Sequence, residues 1–171
     1  MTTLTTTKAS LDRMVAAFGA RPASAFSTTT TRATVGDGFT TKTREDGVEF
    51  TVDMPAAVGG SGAGPTPGVL GRACLTSCIA IGIRIAADRQ EVEIGKINVD
   101  LSMDWDSRGL FGLSGVSAGP SNISFAIEVE SHAAEHEIQA VIAEGLRNDP
   151  WLVALTQPHE MTTDIRIAGR T

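Results

Sequence analysis

The sequence predicts an α+β fold, and three observations carry that expectation. Strand-forming segments come in runs instead of alternating singly with helices. One long helical segment, from about Pro67 to Arg89, is apolar nearly all round in its middle, the signature of a central buried helix. Two later segments alternate apolar and polar residues, which marks strands with one buried and one wet face. A doubly wound sheet would interleave single strands and helices.

The elements follow in order. Leu11, Met14, Val15 and Phe18 space a short amphipathic helix over residues 8–18, with Ser10 as its cap and Arg21-Pro22 as its stop. Residues 1–27 form an N-terminal extension around it, and residues 28–171 the main domain. Thr28 to Val52 reads as three short strands, broken at Gly36-Asp37-Gly38 and at the hairpin pair Asp46-Gly47. The first, Thr28 to Thr34, is β-branched but poorly hydrophobic, so an edge or partner-facing strand is expected. Met54 to Gly68 is a Gly/Pro-rich loop ending in Thr66-Pro67, an N-cap followed by proline in the first helical turn. Along the central helix Gly71, Cys74, Cys78 and Gly82 make a small-residue stripe that permits close approach of another backbone. Ile97, Val99, Leu101, Met103 and Trp105 form the apolar face of one long strand, and Ile123, Phe125, Ile127 and Val129 that of a second. The Gly-rich stretch between them, Asp106 to Pro120, is expected to be mobile. Ser131 is placed as cap of a helix whose inner face is Ile138, Val141, Ile142 and Leu146. Asp149-Pro150 breaks it and starts a shorter helix through Leu155, and a final strand carries Ile165 and Ile167.

The 171 residues, 42% hydrophobic and 20% charged, suit one ordinary domain with a core that needs no disulfide or metal staple. A net charge of −6 argues against nucleic acid as a partner, since such proteins carry a basic stripe. Met1 to Thr7 shows no apolar leader, and the longest apolar stretch, Ala73 to Ile83, is shorter than the ~20 residues of a membrane span. The expected setting is therefore cytoplasmic, without a membrane partner, where thiols stay reduced.

Motifs exclude more than they assign. The glycine loop Val58 to Gly68 lacks the Lys-Ser or Lys-Thr of a phosphate loop and any G-x-G-x-x-G match. His132-Ala133-Ala134-Glu135-His136 fits the H-x-x-E-H zinc pattern, but both histidines lie off the apolar helix face. A solvated helix start accounts for them better, and no metal or other cofactor is expected. Ser77 is not in a nucleophile-elbow context. The two cysteines, Cys74 and Cys78, share a helix face four residues apart, a spacing that does not bring their Cβ atoms to disulfide distance. Cys78 is either a small buried hydrophobe or a reactive thiol.

Several runs together resemble the OsmC/Ohr family: Asp53-Met54-Pro55, Gly59-Gly60, Gly64-Pro65-Thr66-Pro67 and Leu75-Thr76-Ser77-Cys78, in that order. The resemblance spans about Thr28 to Ala168. It implies an intertwined homodimer with buried central helices and active sites at the subunit interface. It also implies a peroxidatic thiol at Cys78 that reduces organic hydroperoxides and is restored by a small thiol or dithiol. The family's supporting groups are missing. The turn Gly36-Asp37-Gly38 has no arginine, the helix start Pro67-Gly68-Val69-Leu70 has no glutamate, and Asp149 stands before Pro150 where a second cysteine is usual. An aspartate near Cys78 disfavours the thiolate. Arg32, from the other subunit, is the candidate replacement cation. Arg72 and Arg84 lie well round the helix, and Cys74 is the candidate thiol partner. Three expectations stand: a one-cysteine hydroperoxide reductase, a dimer that lost the chemistry and binds a small apolar molecule or serves structure, and a different thiol reaction such as acyl or persulfide transfer.

Overall fold

In the computed structural model, residues 2–169 are described, with side chains from residue 7. The chain runs α1 (Thr2–Ala20), β1 (Arg32–Val35), β2 (Thr41–Glu45), β3 (Val48–Val52), α2 (Pro67–Gln90), β4 (Ile97–Asp104), α3 (Ser107–Leu110), β5 (Asn122–Val129), α4 (Glu135–Arg147) and α5 (Pro150–Thr156). It is an α+β arrangement with two antiparallel sheets, as expected.

The first sheet has the order β1-β2-β3. Its second hairpin closes through Asp46 and Gly47, at φ 45° and 80°, with Glu45 opposite Val48. Two consecutive positive φ values in a two-residue loop match the twist of the flanking strands. This sheet stands off the core. Of its residues only Thr43 and Val52 are buried. Below β3, buried Asp53 anchors the glycine loop. It accepts from the Ser61 hydroxyl at 2.6 Å, the Ala63 and Ser61 N–H at 3.1 Å each, the Met54 N–H at 2.7 Å and the Thr40 hydroxyl at 3.1 Å.

The second sheet pairs β4 with β5 so that Val99 faces Ile127, Leu101 faces Phe125 and Met103 faces Ile123. That apolar face lies on α2, whose Leu75, Ile79, Ile83, Ala86 and Ala87 form the core together with Val141 of α4. The helices α2 and α4 meet backbone to backbone. A Cβ added to Gly145 would lie 2.7 Å from the Ile83 nitrogen, and one added to Gly82 would lie 3.2 Å from the Gly145 oxygen. The small-residue stripe of α2 thus receives α4 of the same chain at Gly82.

Thr66 caps α2 as predicted, its hydroxyl accepting from the Val69 N–H at 3.3 Å. The burial of α2 departs from expectation. Only one side is buried, while Val69, Ala73, Ser77, Ile81 and Ile85, each four residues from the next, form an exposed stripe along the other. By length and composition alone α2 also meets the requirement for crossing a membrane, which the apolar stretch Ala73 to Ile83 understated. Its buried side packed on β4 and α4 gives it the place of a core helix.

Three local expectations are corrected, and one loop gains a short helix. The first helix spans Thr2–Ala20, so Ser10 lies inside it and cannot cap it. The i,i+4 pair Lys8–Asp12 at 2.7 Å and Lys8–Glu91 at 3.4 Å support the longer helix against the end of α2. Ser131 is not the cap of α4, which starts after Ala134. Its hydroxyl donates to the Glu93 carbonyl at 2.6 Å and accepts from the Ala133 N–H at 3.0 Å, while Glu137 accepts from the Ala134 N–H at 3.0 Å. The Asp106 to Pro120 stretch opens with α3, where Asp106 accepts from the Arg108 N–H at 3.0 Å and Leu113 donates back to Arg108. Residues 157–167 form no strand. Ile165 and Ile167 are exposed, and no described strand offers them a ladder to join.

Candidate functional site

The thiols sit on the middle turns of α2, a helix placed by its Thr66 cap, its apolar side and the Gly82–Gly145 approach. Cys74 and Cys78 are free, half-buried and in contact with each other. Burial pushes the Cys78 thiol above its ordinary pKa, and neighbouring Cys74 and the Asp149 carboxylate push it the same way. No cation among the described residues opposes that shift.

Asp149 follows the Asn148 cap of α4 and is itself the N-cap of α5. Its Oδ1 accepts the Leu152 N–H at 2.7 Å, and its Oδ2 is buried with no hydrogen-bond partner among the described residues. The residue is 1% exposed. The fold therefore brings to Cys78 a carboxylate where the sequence resemblance placed a second cysteine.

The arginines separate. Arg84 donates to the carbonyls of Ile94, at 2.7 Å, and Gly95, and lies 3.8 Å from Asp88, so it ties the end of α2 to the lead-in of β4. Arg32 is exposed on β1, opposite Arg44, in a sheet that does not number among the main neighbours of α2. Arg72 stays near the α2 start, beside Gly68, and lines a groove.

That groove was missed by sequence reasoning. Two concavities, of about 370 and 470 Å³, share Pro67, Gly68, Arg72 and Trp105. The inner one is lined mainly by apolar side chains, among them Leu75, Met103, Trp105 and Trp151, with Cys74 as its thiol. The outer one reaches Leu110 of α3. A sequence signal existed: the chain holds only two tryptophans and no tyrosine, and Trp105 continues the apolar face of β4 just past its end. His132 and His136 are exposed, and no group of three or more His, Cys, Asp or Glu side chains suited to a metal occurs among the described residues.

The sequence pattern of the OsmC-like protein family matches residues 59–164, more than half of the chain. The chain belongs to this family. Among solved structures, its fold is similar to an OsmC-like protein from Mycoplasma pneumoniae, at 18% identity and a TM-score of 0.62, covering 75% of this chain and 87% of that one. It is similar also to an OsmC-like protein of unknown function from Vibrio cholerae, at 10% identity and a TM-score of 0.61, covering 77% and 95%. An organic hydroperoxide resistance protein from Legionella pneumophila matches at 19% identity and a TM-score of 0.55, covering 77% and 90%. No curated protein matches. At these identities the structural likeness speaks for the OsmC-like fold alone.

Proposed function

We propose that this OsmC-like protein is a cytoplasmic homodimer that reduces organic hydroperoxides with Cys78 as the nucleophile. The observation that carries the reading is the pair of touching free thiols on α2, one of which, Cys74, faces an apolar groove. Such a groove holds the organic body of a hydroperoxide, where hydrogen peroxide would gain nothing. The Legionella structure named for hydroperoxide resistance points the same way.

In the reaction the Cys78 thiolate attacks the terminal peroxide oxygen, the O–O bond breaks, and the leaving alkoxide takes a proton to become an alcohol. Cys78 is left as a sulfenic acid. A small thiol condenses with it, releasing water and forming a mixed disulfide, and a second thiol releases Cys78 reduced. The exposed stripe of α2, with Ile81 58% and Ile85 38% exposed, supports a second copy lying on this helix. The reading needs a cation on Cys78, and Arg32 from that second copy supplies it.

A second reading is favoured by one observation: burial and Asp149 both hold Cys78 in its protonated form. On it, the dimer binds a small apolar molecule without chemistry. Intact-protein mass measured during titration with cumene hydroperoxide separates the two. Fast, stoichiometric addition of oxygen, lost in Cys78→Ser, supports the reductase. Oxidation no faster than that of free cysteine leaves the binding reading.

A further inference from the structure

The groove is lined by Arg72 and Asp106, and among the described residues Arg72 has no side-chain partner. Arg72 is half-buried in the second turn of α2, where its guanidinium lies over Gly68. A Cβ built on Gly68 would be 3.2 Å from its Nη1. Its side chain has neither a hydrogen bond nor an ion pair among the described residues. The nearby carboxylate lining the outer part of the groove is Asp106, and it is already engaged: Arg108 donates to both of its oxygens, at 2.9 and 3.1 Å from Nε and 2.5 Å from Nη2. The net charge facing the groove is therefore that of Arg72. Around it stand Trp105, Trp151, Met103 and Leu75. A half-buried guanidinium attracts an anion more strongly than one in open water, and its planar fork of donors fits a carboxylate.

We infer that the groove binds small amphipathic carboxylates, with the apolar body against Trp105 and Trp151 and the carboxylate on Arg72. The inference rests on reading the groove as the place where an organic molecule meets Cys74, the thiol in contact with Cys78, and it adds which molecules are preferred. The volume of the groove suits a small organic ligand. Neutral molecules of the same shape gain the apolar contact and leave Arg72 unanswered. Arg72 is thus a specificity residue, distinct from the thiols.

Both tryptophans of the chain line the groove, so intrinsic fluorescence reads its occupancy directly. The experiment titrates the full-length protein with 4-phenylbutyrate and with its neutral amide. It repeats both titrations on Arg72→Gln, Arg72→Lys and the double variant Cys74→Ser/Cys78→Ser, each checked for fold by circular dichroism and for oligomeric state by size. The expected result is roughly tenfold tighter binding of the carboxylate than of the amide. Arg72→Gln should erase that preference without changing amide binding, and Arg72→Lys should restore part of it. Equal affinity for the two ligands overturns the inference, as does an absence of binding by either. An equal loss of both ligands in Arg72→Gln also overturns it, because Arg72 would then only shape the groove. The thiol-free variant keeps the two readings apart. Carboxylate preference retained there, with no peroxide consumed by the native protein, leaves this inference standing and sinks the reductase. Peroxide reduction without carboxylate preference does the reverse.

Discussion

Cys78 and Asp53 are two acids that the fold shifts in opposite directions. The folded chain holds the Cys78 proton more tightly than the unfolded chain does, because burial, Cys74 and Asp149 all disfavour the thiolate. Its contribution to stability is complete below the unfolded thiol pKa and is lost as pH rises through the raised folded value. Alkylation of Cys78 by iodoacetamide should therefore be slower than that of free cysteine at neutral pH and climb only under alkaline conditions. Asp149→Asn should speed it at neutral pH by a few-fold, and an unchanged pH profile in that variant would show that Asp149 does not act on the thiol. Asp53 is the opposite case. The Ser61 hydroxyl first, then the Ala63 N–H, the Met54 N–H and the Thr40 hydroxyl, hold its carboxylate well below the usual range. Its stabilisation is present above the unfolded carboxylate pKa and disappears as pH falls through the depressed folded value. Asp53→Asn should lower the urea midpoint at neutral pH, and the gap from the native protein should close as pH is taken down toward the folded pKa. A constant gap would deny Asp53 this role. Asp53 and Met54 were visible in the sequence only as part of a family run. Their work in the fold, anchoring a glycine loop, comes from donors eight and ten residues away at Ser61 and Ala63.

At the scale of elements, the contact that decides the site is α2 against α4. It depends on Gly82 and Gly145, since a side chain at 145 would meet the backbone and side chain of Ile83 at under 3 Å. Gly145→Ala should cost about 1–3 kcal/mol in chemical denaturation. It should also alter Cys78 alkylation, because Asp149 follows directly on the end of α4. Gly82→Ala, with a Cβ 3.2 Å from a single carbonyl oxygen, should cost less. If both variants unfold like the native protein, the two helices are not held by this approach. Local elements were legible where one short-range signal governed them. Asp46-Gly47 set a hairpin, Thr66-Pro67 set a helix start, and period-two alternation set β4 and β5. They were misread where a distant partner competed. Ser131 bonds Glu93 instead of capping α4, and the Ile165 to Ile167 segment has the pattern of a strand without a described strand to pair with.

For the whole molecule, the exposed stripe Val69, Ala73, Ser77, Ile81 and Ile85 and the outlying β1–β3 sheet leave apolar surface that a single chain does not cover. The homodimer proposed above covers it. Mass measured in solution should give twice the chain mass of 17.8 kDa, and Ile81→Asp combined with Ile85→Asp should shift the protein to monomer while retaining its helical signal. A native protein that is monomeric at micromolar concentration would remove the second copy, and with it the proposed role of Arg32.

The sequence by itself determined the fold class, the buried faces of β4 and β5, the span of the central helix, the place of both cysteines on one helix side and, through its motifs, the family. These follow from periodicities of 2 and 3.6 residues and from turn chemistry, which act between near neighbours. Only the tertiary structure decided that Asp149 lies near Cys78, that Cys74 lines a groove, and that Arg72, without a side-chain partner among the described residues, shares that groove with both tryptophans. Those meetings join residues some 30 to 80 positions apart, and they depend on how closely α4 and β4 pack on α2. Packing distance is set by side-chain volume on both partners at once, a quantity that no single stretch of sequence contains.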